Sequence, residues 1–156
     1  MSEQVTIRMG NSDDADTIAI FNVELARESE DIKLDPATVI KGVHALLEQP
    51  QYGFYVVAEQ DGIILGSLMI TYEFSDWRNG VLWWVQSVFV RPEYRRQGVL
   101  RNIFTFLREK AKQQGNVCGF RLYVEKNNHN AQTGYERFGM KKAGYDMYED
   151  LFQEAK

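Results

Sequence analysis

The 156-residue chain has 44% hydrophobic residues and a formal charge of −4, a composition typical of a folded globular protein. The acidic balance disfavours a general nucleic-acid-binding protein, and no apolar run reaches the ~20 residues of a membrane-spanning helix. A single cysteine rules out an internal disulfide, and with only two histidines a zinc site is disfavoured. We therefore expect one domain over residues 1–156, with no metal, nucleic acid or membrane as partner.

The N-terminal stretch lacks a basic region followed by an apolar one, so no signal peptide is predicted. The lone Cys118 fits a reducing compartment, and we expect a cytoplasmic protein.

The first third of the chain predicts a strand followed by two helices. Apolar residues alternate with polar ones over residues 5–9, as in a half-buried strand. Asn11 or Ser12 can then cap a helix with an apolar stripe through residues 15–25. Asp35-Pro36 begins a second amphipathic helix, which ends before Pro50.

Three strands are predicted next, joined by tight turns. Tyr52–Glu59 and Ile63–Phe74 flank Asp61-Gly62, a dipeptide typical of β-hairpins. Asn79-Gly80 predicts a second turn, followed by the strand Val81–Arg91. These strands should form an antiparallel meander.

A helix with a basic, glycine-containing start follows the strand that Pro92 terminates. The loop Arg95–Gly98 precedes an apolar stripe at helical spacing: Leu100, Ile103, Phe104, Leu107 and Ala111. Backbone amides at a helix start are unpaired donors at the positive end of the helix dipole. Glycine permits close approach and the arginines add charge, so this loop is predicted to hold a phosphate.

The last third predicts a strand, a short helix and a final strand. They are Val117–Glu125, Asn128–Phe138 and, after Gly139, Met140–Glu149. The predicted order is therefore β-α-α-β-β-β-α-β-α-β.

The loop and the last helix both resemble motifs of the GCN5-related N-acetyltransferases. Arg95-Arg96-Gln97-Gly98-Val99-Leu100 resembles the family's Arg/Gln-x-x-Gly-x-Gly/Ala, with Leu100 in place of the small last residue. Downstream, Leu122 to Val124, Asn128 to Ala131, Tyr135 and Gly139-Met140 resemble Leu-x-Val, Asn-x-x-Ala, Tyr and Gly-Phe. The resemblance covers nearly the whole chain in the expected order of elements.

This resemblance implies the α/β (α+β) acetyltransferase fold, with a mixed, mostly antiparallel sheet of six to seven strands flanked by four helices. It also implies direct acetyl transfer from acetyl-coenzyme A, as co-substrate, to a primary amine. The coenzyme would bind at a strand-four bulge, at the loop and at the last helix, namely at Val88, Phe89, Val90, Arg95, Arg96, Gln97, Gly98, Val99, Leu100, Arg101 and Asn128.

Two catalytic roles follow from the resemblance. Tyr135 would protonate the departing thiolate, although a helical tyrosine is more commonly a core aromatic. Many relatives carry a glutamate where this chain has Gln86. Because an amide cannot accept a proton at neutral pH, Gln86 is predicted to position the amine rather than to act as the base.

The acceptor is expected to be a small, cationic amine. In the family the first helix lines the acceptor pocket, so Glu24 and Glu28 are candidate ligands of a cation. Trp84 shares a strand face with Gln86 and could line the same pocket, though simple packing also explains it.

Two alternatives remain open at this level. A catalytically silent acyl-coenzyme A sensor would carry the same fold, since a fold does not dictate function. A homodimer is predicted from the aromatic-rich content of a small chain, including Phe74, Trp77 and Tyr145–Phe152, since a large apolar surface often marks an interface.

Overall fold

The computed structural model describes residues 4–153; residues 1–3 and 154–156, the two ends of the predicted domain, lie outside the described part. Two single-turn 3-10 helices, Ser12–Asp14 and Pro92–Tyr94, precede longer helices. The remaining elements, in chain order, are β1 (Thr6–Met9), α1 (Ala15–Glu30), α2 (Pro36–Glu48), β2 (Gly53–Gln60), β3 (Ile63–Ser75), β4 (Gly80–Val90), α3 (Val99–Gln114), β5 (Val117–Arg121) and α4 (His129–Arg137).

The described residues form one sheet whose five strands follow chain order, β1-β2-β3-β4-β5. The first four strands are antiparallel neighbours and β5 is parallel to β4, as expected when a helix connects the two. Asp61 and Gly62 both have positive φ, 53° and 76°, which confirms the predicted hairpin between β2 and β3. The four predicted helices and the antiparallel meander are likewise confirmed.

Helices cover both faces of the sheet and produce two apolar clusters. On the α3 side, Trp83 and Val85 of β4 pack with Ile103, Phe104 and Leu107 of α3. On the α1/α2 side, Phe89 of β4 packs with a set from α1, α2 and β2 that includes Ile18, Phe21, Val43, Tyr55 and Val57. Alternation along the strands thus gives the sheet two buried faces.

The start of α1 is fixed to the sheet by a partly buried charge cluster. Arg8 of β1 donates to both carboxylate oxygens of Asp14, at 2.8 and 2.9 Å, and to Glu59 of β2 at 2.8 Å. Burial opposes ionisation of Asp14, but the hydrogen bonds from Arg8 and from the backbone of Asn11 outweigh it, so the pKa of Asp14 is lowered. The cluster therefore aligns α1, which borders the cleft described below.

The sixth strand predicted at Met140–Glu149 is absent from the described structure, so the count of six to seven strands is not confirmed. Residues 141–152 form no strand and their side chains are exposed. A strand needs a partner edge and a face to pack. Lys141, Lys142 and Gly144 disfavour a strand at the start of the segment, and the strand-favouring side chains that follow, such as Tyr145 and Tyr148, are exposed and pair with no strand among the described residues. None of the helices within residues 4–153 combines the length and the hydropathy of a membrane span.

Candidate active site

A cleft opens where β4 and β5 diverge. Their pairing begins at Val81 with Val117 and ends at Trp84 with Arg121. β5 therefore ends four residues before the predicted Glu125, whereas β4 continues to Val90 with β3 as its partner. The register of β3 and β4 shifts between Ser67 and Met69, and Ser87 has a φ of 54°, so a bulge lies at the start of the divergence.

The open side of β4 presents backbone donors to this cleft. Arg91 N donates to Leu65 O of β3 at 2.8 Å. Because N–H groups alternate in direction along a strand, Phe89 N–H faces β3 and Val90 N–H points into the cleft. Val88 lies beside the bulge. Of the three strand residues predicted to bind the coenzyme, Val90 directs its amide into the cleft and Phe89 directs its amide toward β3, so their contact with the coenzyme stays a prediction.

The loop before α3 has the conformation of an anion-binding helix start. Gly98 is the N-cap of α3 with a φ of 83°, and no side chain caps its amides. The helical ladder begins at Asn102 N, which donates to Gly98 O at 3.0 Å, so the amides of Val99, Leu100 and Arg101 precede it. A Cβ at Gly98 would meet nothing within 4 Å, so the backbone angle, rather than space, requires the glycine.

The arginines of this loop have different surroundings. Arg95 Nη2 donates to Glu28 Oε2 at 2.9 Å, Arg95 Nε donates to Val90 O at 2.8 Å, and its guanidinium lies 5.4 Å from the ring centroid of Phe89. Arg95 thus ties the loop to α1 and β4. Within the described part of the chain, neither Arg96 nor Arg101 contacts a carboxylate, and both remain cationic donors beside the helix start.

The start of α4 is capped as predicted, since Asn128 Oδ1 accepts from Ala131 N at 3.2 Å. Tyr135 lies on the α3 side of the sheet, with its ring 6.3 Å from that of Phe104. Burial raises the pKa of Tyr135 to about 12, so its phenol stays protonated in the neutral range. It can therefore donate a proton, and its ring also packs against the core.

Gln86 lies on the opposite, α1/α2 side of the sheet, between two hydroxyl groups. Gln86 Nε2 donates to Thr71 Oγ1 at 2.6 Å, and Tyr123 OH donates to Gln86 Oε1 at 3.2 Å. The ring of Tyr123 is 5.4 Å from that of Trp84. The amide of Gln86 is thus held by β3 and by Tyr123, two residues after β5 ends.

An ion pair borders the same face. Trp84 Nε1 donates to Glu73 Oε1 at 2.8 Å, and Arg121 Nη1 lies 3.0 and 3.2 Å from the two carboxylate oxygens of Glu73. The indole hydrogen bond and the guanidinium together lower the pKa of Glu73. Sequence reasoning missed Thr71, Glu73, Arg121 and Tyr123. Strand alternation was the available signal, since it places these side chains on the face of Trp84 and Gln86.

The two carboxylates predicted to meet a cationic acceptor already have cationic partners. Glu24 Oε2 accepts from Arg27 Nη2 at 2.7 Å on the exposed surface of α1, and Glu28 accepts from Arg95. Among residues 4–153, no three or more His, Cys, Asp or Glu side chains are grouped as a metal site would need.

The bulged strand β4, the glycine-started helix α3 and Tyr135 of α4 therefore lie on or against the same α3-side core. A model of the Acetyltransferase (GNAT) family matches residues 18–140, from α1 to just beyond α4. The chain belongs to the GNAT family. It is accordingly an acyltransferase, and the matched region contains both the glycine loop and Tyr135.

This GNAT protein is similar in sequence to one curated relative and in sequence and fold to a solved structure. A candidate ribosomal protein bS18-alanine N-acetyltransferase of Bacillus subtilis (strain 168) is 33% identical over 114 residues, which are 72% of this chain and 70% of that protein. A possible acetyltransferase from Clostridium difficile 630 has a crystal structure with 43% identity and a TM-score of 0.89, covering 97% of this chain and 100% of that one.

A predicted acetyltransferase from Clostridium acetobutylicum, whose crystal structure was determined with acetyl-CoA, has 15% identity and a TM-score of 0.77. It covers 95% of this chain and 97% of its own. At that identity the likeness concerns the fold.

Proposed function

We propose that this protein transfers an acetyl group from acetyl-coenzyme A directly to a primary amine. The observation that carries the proposal is the left-handed Gly98 at the start of α3, beside a cleft lined by unpaired strand donors. Anion-binding amides and a strand edge in one cleft fit a long ligand with a diphosphate at one end and an amide-containing arm.

The diphosphate is assigned to the loop and first turn of α3. Amides from Arg96 to Arg101 face it, and the side chains of Arg96 and Arg101 supply charge without losing a carboxylate partner. The pantetheine arm is assigned to the β4 edge at Val88–Val90, where the Val90 N–H would donate to it. Asn128, at the start of α4, is assigned to contact the coenzyme from the other side of the cleft. Binding of acetyl-coenzyme A in this proposed arrangement requires no metal ion.

The chemistry then needs three events. The amine nitrogen attacks the thioester carbonyl, and the oxygen that becomes negative is stabilised by a backbone donor of β4. Collapse of the tetrahedral intermediate breaks the C–S bond, and Tyr135 gives its proton to the departing thiolate and is then reprotonated from solvent. The new amide keeps the acetyl group, and the amine's surplus proton must leave the site.

Gln86 is assigned to hold the amine, because its amide is fixed between Thr71 and Tyr123 and cannot take up a proton. A chain of waters could carry this proton to Glu24 or Glu28, but both carboxylates are already ion-paired. We therefore favour proton release to bulk solvent through water. Activity should accordingly rise with pH toward the pKa of the acceptor amine.

For the acceptor, we retain a small cationic amine, which the half-buried aromatic side chain of Trp84 beside Gln86 supports; Glu24 and Glu28 would have to exchange their arginine partners to meet it. The likeness to a candidate ribosomal-protein N-acetyltransferase favours a second candidate, the N-terminal amine of a protein. Thiol release from acetyl-coenzyme A should be compared between a panel of small amines and peptides that begin with alanine. The single cysteine fits action in the cytoplasm.

The placement of the coenzyme is tested with Gly98→Glu, which sets a negative side chain against the phosphates. Calorimetry should show at least about 100-fold weaker binding of acetyl-coenzyme A. Gly115→Glu is the matched control, because Gly115 caps the other end of α3 with a φ of 87° and a Cβ there also meets nothing within 4 Å. Equal affinities of the two variants would refute the placement, provided that both retain native circular dichroism.

A further inference from the structure

A polar patch occupies the part of the sheet that α1 and α2 leave uncovered. The apolar cluster beneath these two helices extends to Met69 of β3 and Phe89 of β4. Beyond these residues, the same face carries side chains that are partly or largely exposed, namely Thr71, Glu73, Trp84, Gln86, Arg121 and Tyr123. Hydrogen bonds connect them into two groups, one around Gln86 and one around Glu73, and the proposed reaction uses only the first.

Arg121, at the end of β5, uses only part of its guanidinium within the chain. Its Nη1 lies 3.0 and 3.2 Å from the two carboxylate oxygens of Glu73. Its Nε and Nη2 have no hydrogen-bond acceptor among residues 4–153, and the side chain is 31% exposed. Nε–H and Nη2–H lie along one edge of the planar guanidinium, and such an edge matches the two oxygens of a carboxylate. Arg121 therefore presents an open anion-binding edge beside Trp84, its register partner on β4.

Glu73 balances the charge of Arg121 and is already surrounded by donors. Its Oε1 accepts from Trp84 Nε1 at 2.8 Å as well as from Arg121. The hydrogen bond from Trp84 and the positive charges of Arg121 and Arg78 lower the pKa of Glu73, so this carboxylate stays ionised in the neutral range. An ion pair at the surface adds little to stability, but this one fixes the orientation of the guanidinium. The second group of the patch thus offers a ligand an oriented cation rather than an anion.

The register of the strands sets the distance between this edge and the amine site. Trp84 and Arg121 are partners on β4 and β5, and Gln86 follows Trp84 by two residues on the same face. Two residues of a strand span about 7 Å, and neighbouring strands lie about 5 Å apart. A ligand whose amine contacts Gln86 therefore reaches Arg121 with a group roughly 7–10 Å from the amine. A free α-amino acid, which carries both groups on one carbon, is too short.

We infer that the acceptor carries a carboxylate besides its primary amine, and that Arg121 binds this carboxylate through Nε–H and Nη2–H while Gln86 holds the amine. Glu73 is the positioning residue that orients Arg121. The inference rests on the proposed acetyl transfer and narrows its acceptor, since the amine end remains cationic until it loses its proton and the far end is an anion. Two sources have this chemistry: an extended ω-amino acid, and a protein N-terminus with an acidic side chain at its second or third residue.

The first test compares acceptors that differ only in this charge. One pair is ε-aminocaproate and its amide, and the other is the peptide amides Ala-Glu-Ala and Ala-Gln-Ala. At saturating acetyl-coenzyme A, thiol release should give a kcat/KM about 30-fold higher for the acidic member, as expected for a charge-assisted hydrogen-bonded pair, with most of the difference in KM. A preference confined to one pair identifies the source. Equal kcat/KM values within both pairs would overturn the inference and leave acetyl transfer intact.

The second test assigns the preference to Arg121. Arg121→Lys keeps a cation beside Glu73 but loses the two-donor edge, so the preference should fall to about threefold or less while circular dichroism stays native. Arg78→Gln is the matched control, because Arg78 also acts on Glu73 but lies on the turn before β4, where it donates to Ser75 Oγ at 3.3 Å. This control should keep the full preference. Loss of the preference in Arg78→Gln alone, or its full retention in Arg121→Lys, would refute the contact.

A binding measurement separates this inference from the proposed function. Calorimetry follows ε-aminocaproate added to the wild type and to both variants in the presence of coenzyme A, a state without turnover. Arg121→Lys should weaken binding by about 10-fold or more, and Arg78→Gln should leave it unchanged. This result without thiol release from any acceptor would refute the transfer and retain the carboxylate site. If the wild type neither binds nor acetylates the acidic probes, the inference is overturned.

Discussion

The two faces of β4 differ although neighbouring tryptophans occupy them. Trp83 is 0% exposed, packs edge-on against Phe54 at 5.2 Å, and its Nε1 has no hydrogen-bond partner among the described residues. Trp84 is half-buried, and its Nε1 donates to Glu73. One face is therefore devoted to packing with α3, whereas the other carries directed hydrogen bonds around Gln86. A single strand can serve both purposes because its side chains alternate.

The largest expected effect is a difference in the free energy of unfolding between variants of the two tryptophans. Trp83→Ala should lower the free energy of unfolding by about 3–5 kcal/mol, because it leaves a large cavity in a packed core. Trp84→Ala should lower it by only about 1–2 kcal/mol, since the site is half-exposed and one hydrogen bond is lost. Urea unfolding monitored by circular dichroism measures both values. Equal losses would show that the two faces do not differ as described.

Tyr135 is a test of this division between the two faces, because it places a hydroxyl with a proposed catalytic role on the side of the sheet that otherwise serves packing. Tyr135→Phe keeps the ring against Phe104, so stability should change little while turnover falls by about 100-fold if the phenol is the acid. Because the pKa of Tyr135 is raised to about 12, its proton is available throughout the range below pH 10. Turnover of the wild type should therefore show no decline caused by Tyr135 between pH 8 and 10.

Steady-state kinetics at saturating acetyl-coenzyme A measures this effect, with Tyr94→Phe as a control phenol on the 3-10 turn near the loop. Wild-type turnover in Tyr135→Phe, with chemistry rate-limiting, would return Tyr135 to a purely packing role.

The smallest expected effect concerns the hydrogen bond between Thr71 and Gln86, on the face of β4 that carries Trp84. Thr71→Val keeps the shape of the side chain but removes the hydroxyl that Gln86 contacts at 2.6 Å. If Gln86 positions the amine, the Michaelis constant of the acceptor should rise by about fivefold, the equivalent of one hydrogen bond, while turnover stays within twofold. Thr6→Val on β1 is the control, since it is distant from the cleft. A change confined to stability would remove the positioning role.

The elements that local sequence patterns specify were predictable. Asp61-Gly62, Asp35-Pro36 and the glycine after basic residues each encode a turn or a helix end, and all three occur as predicted. Such signals depend on backbone conformations that few residues adopt, so they survive without knowledge of tertiary contacts.

The features that sequence patterns did not predict correctly are those that depend on contacts between distant parts of the chain. β5 stops at Arg121 because β4 and β5 diverge there, which no property of residues 122–125 announces. Arg95 pairs with Glu28, 67 residues earlier in the chain, and no local pattern indicates that contact. Their predicted roles as a phosphate ligand and an acceptor ligand stay predictions. The predicted strand at residues 140–149 requires an edge to pair with, and strand propensity alone cannot supply one.

The order of the strands also has a consequence for how the chain folds. β1 to β4 are sequential antiparallel neighbours, so β2, β3 and β4 can pair through short hairpins, whereas β5 joins only after α3 crosses the sheet. Contacts between distant parts of a chain form more slowly than hairpins do. The cleft between β4 and β5 should thus be completed last, and its amides should exchange with deuterium faster than those of β2 and β3. Acetyl-coenzyme A, bound as proposed, would then stabilise the contacts that form last. Its addition should slow amide hydrogen exchange in β5 and α4 more than in β2 and β3.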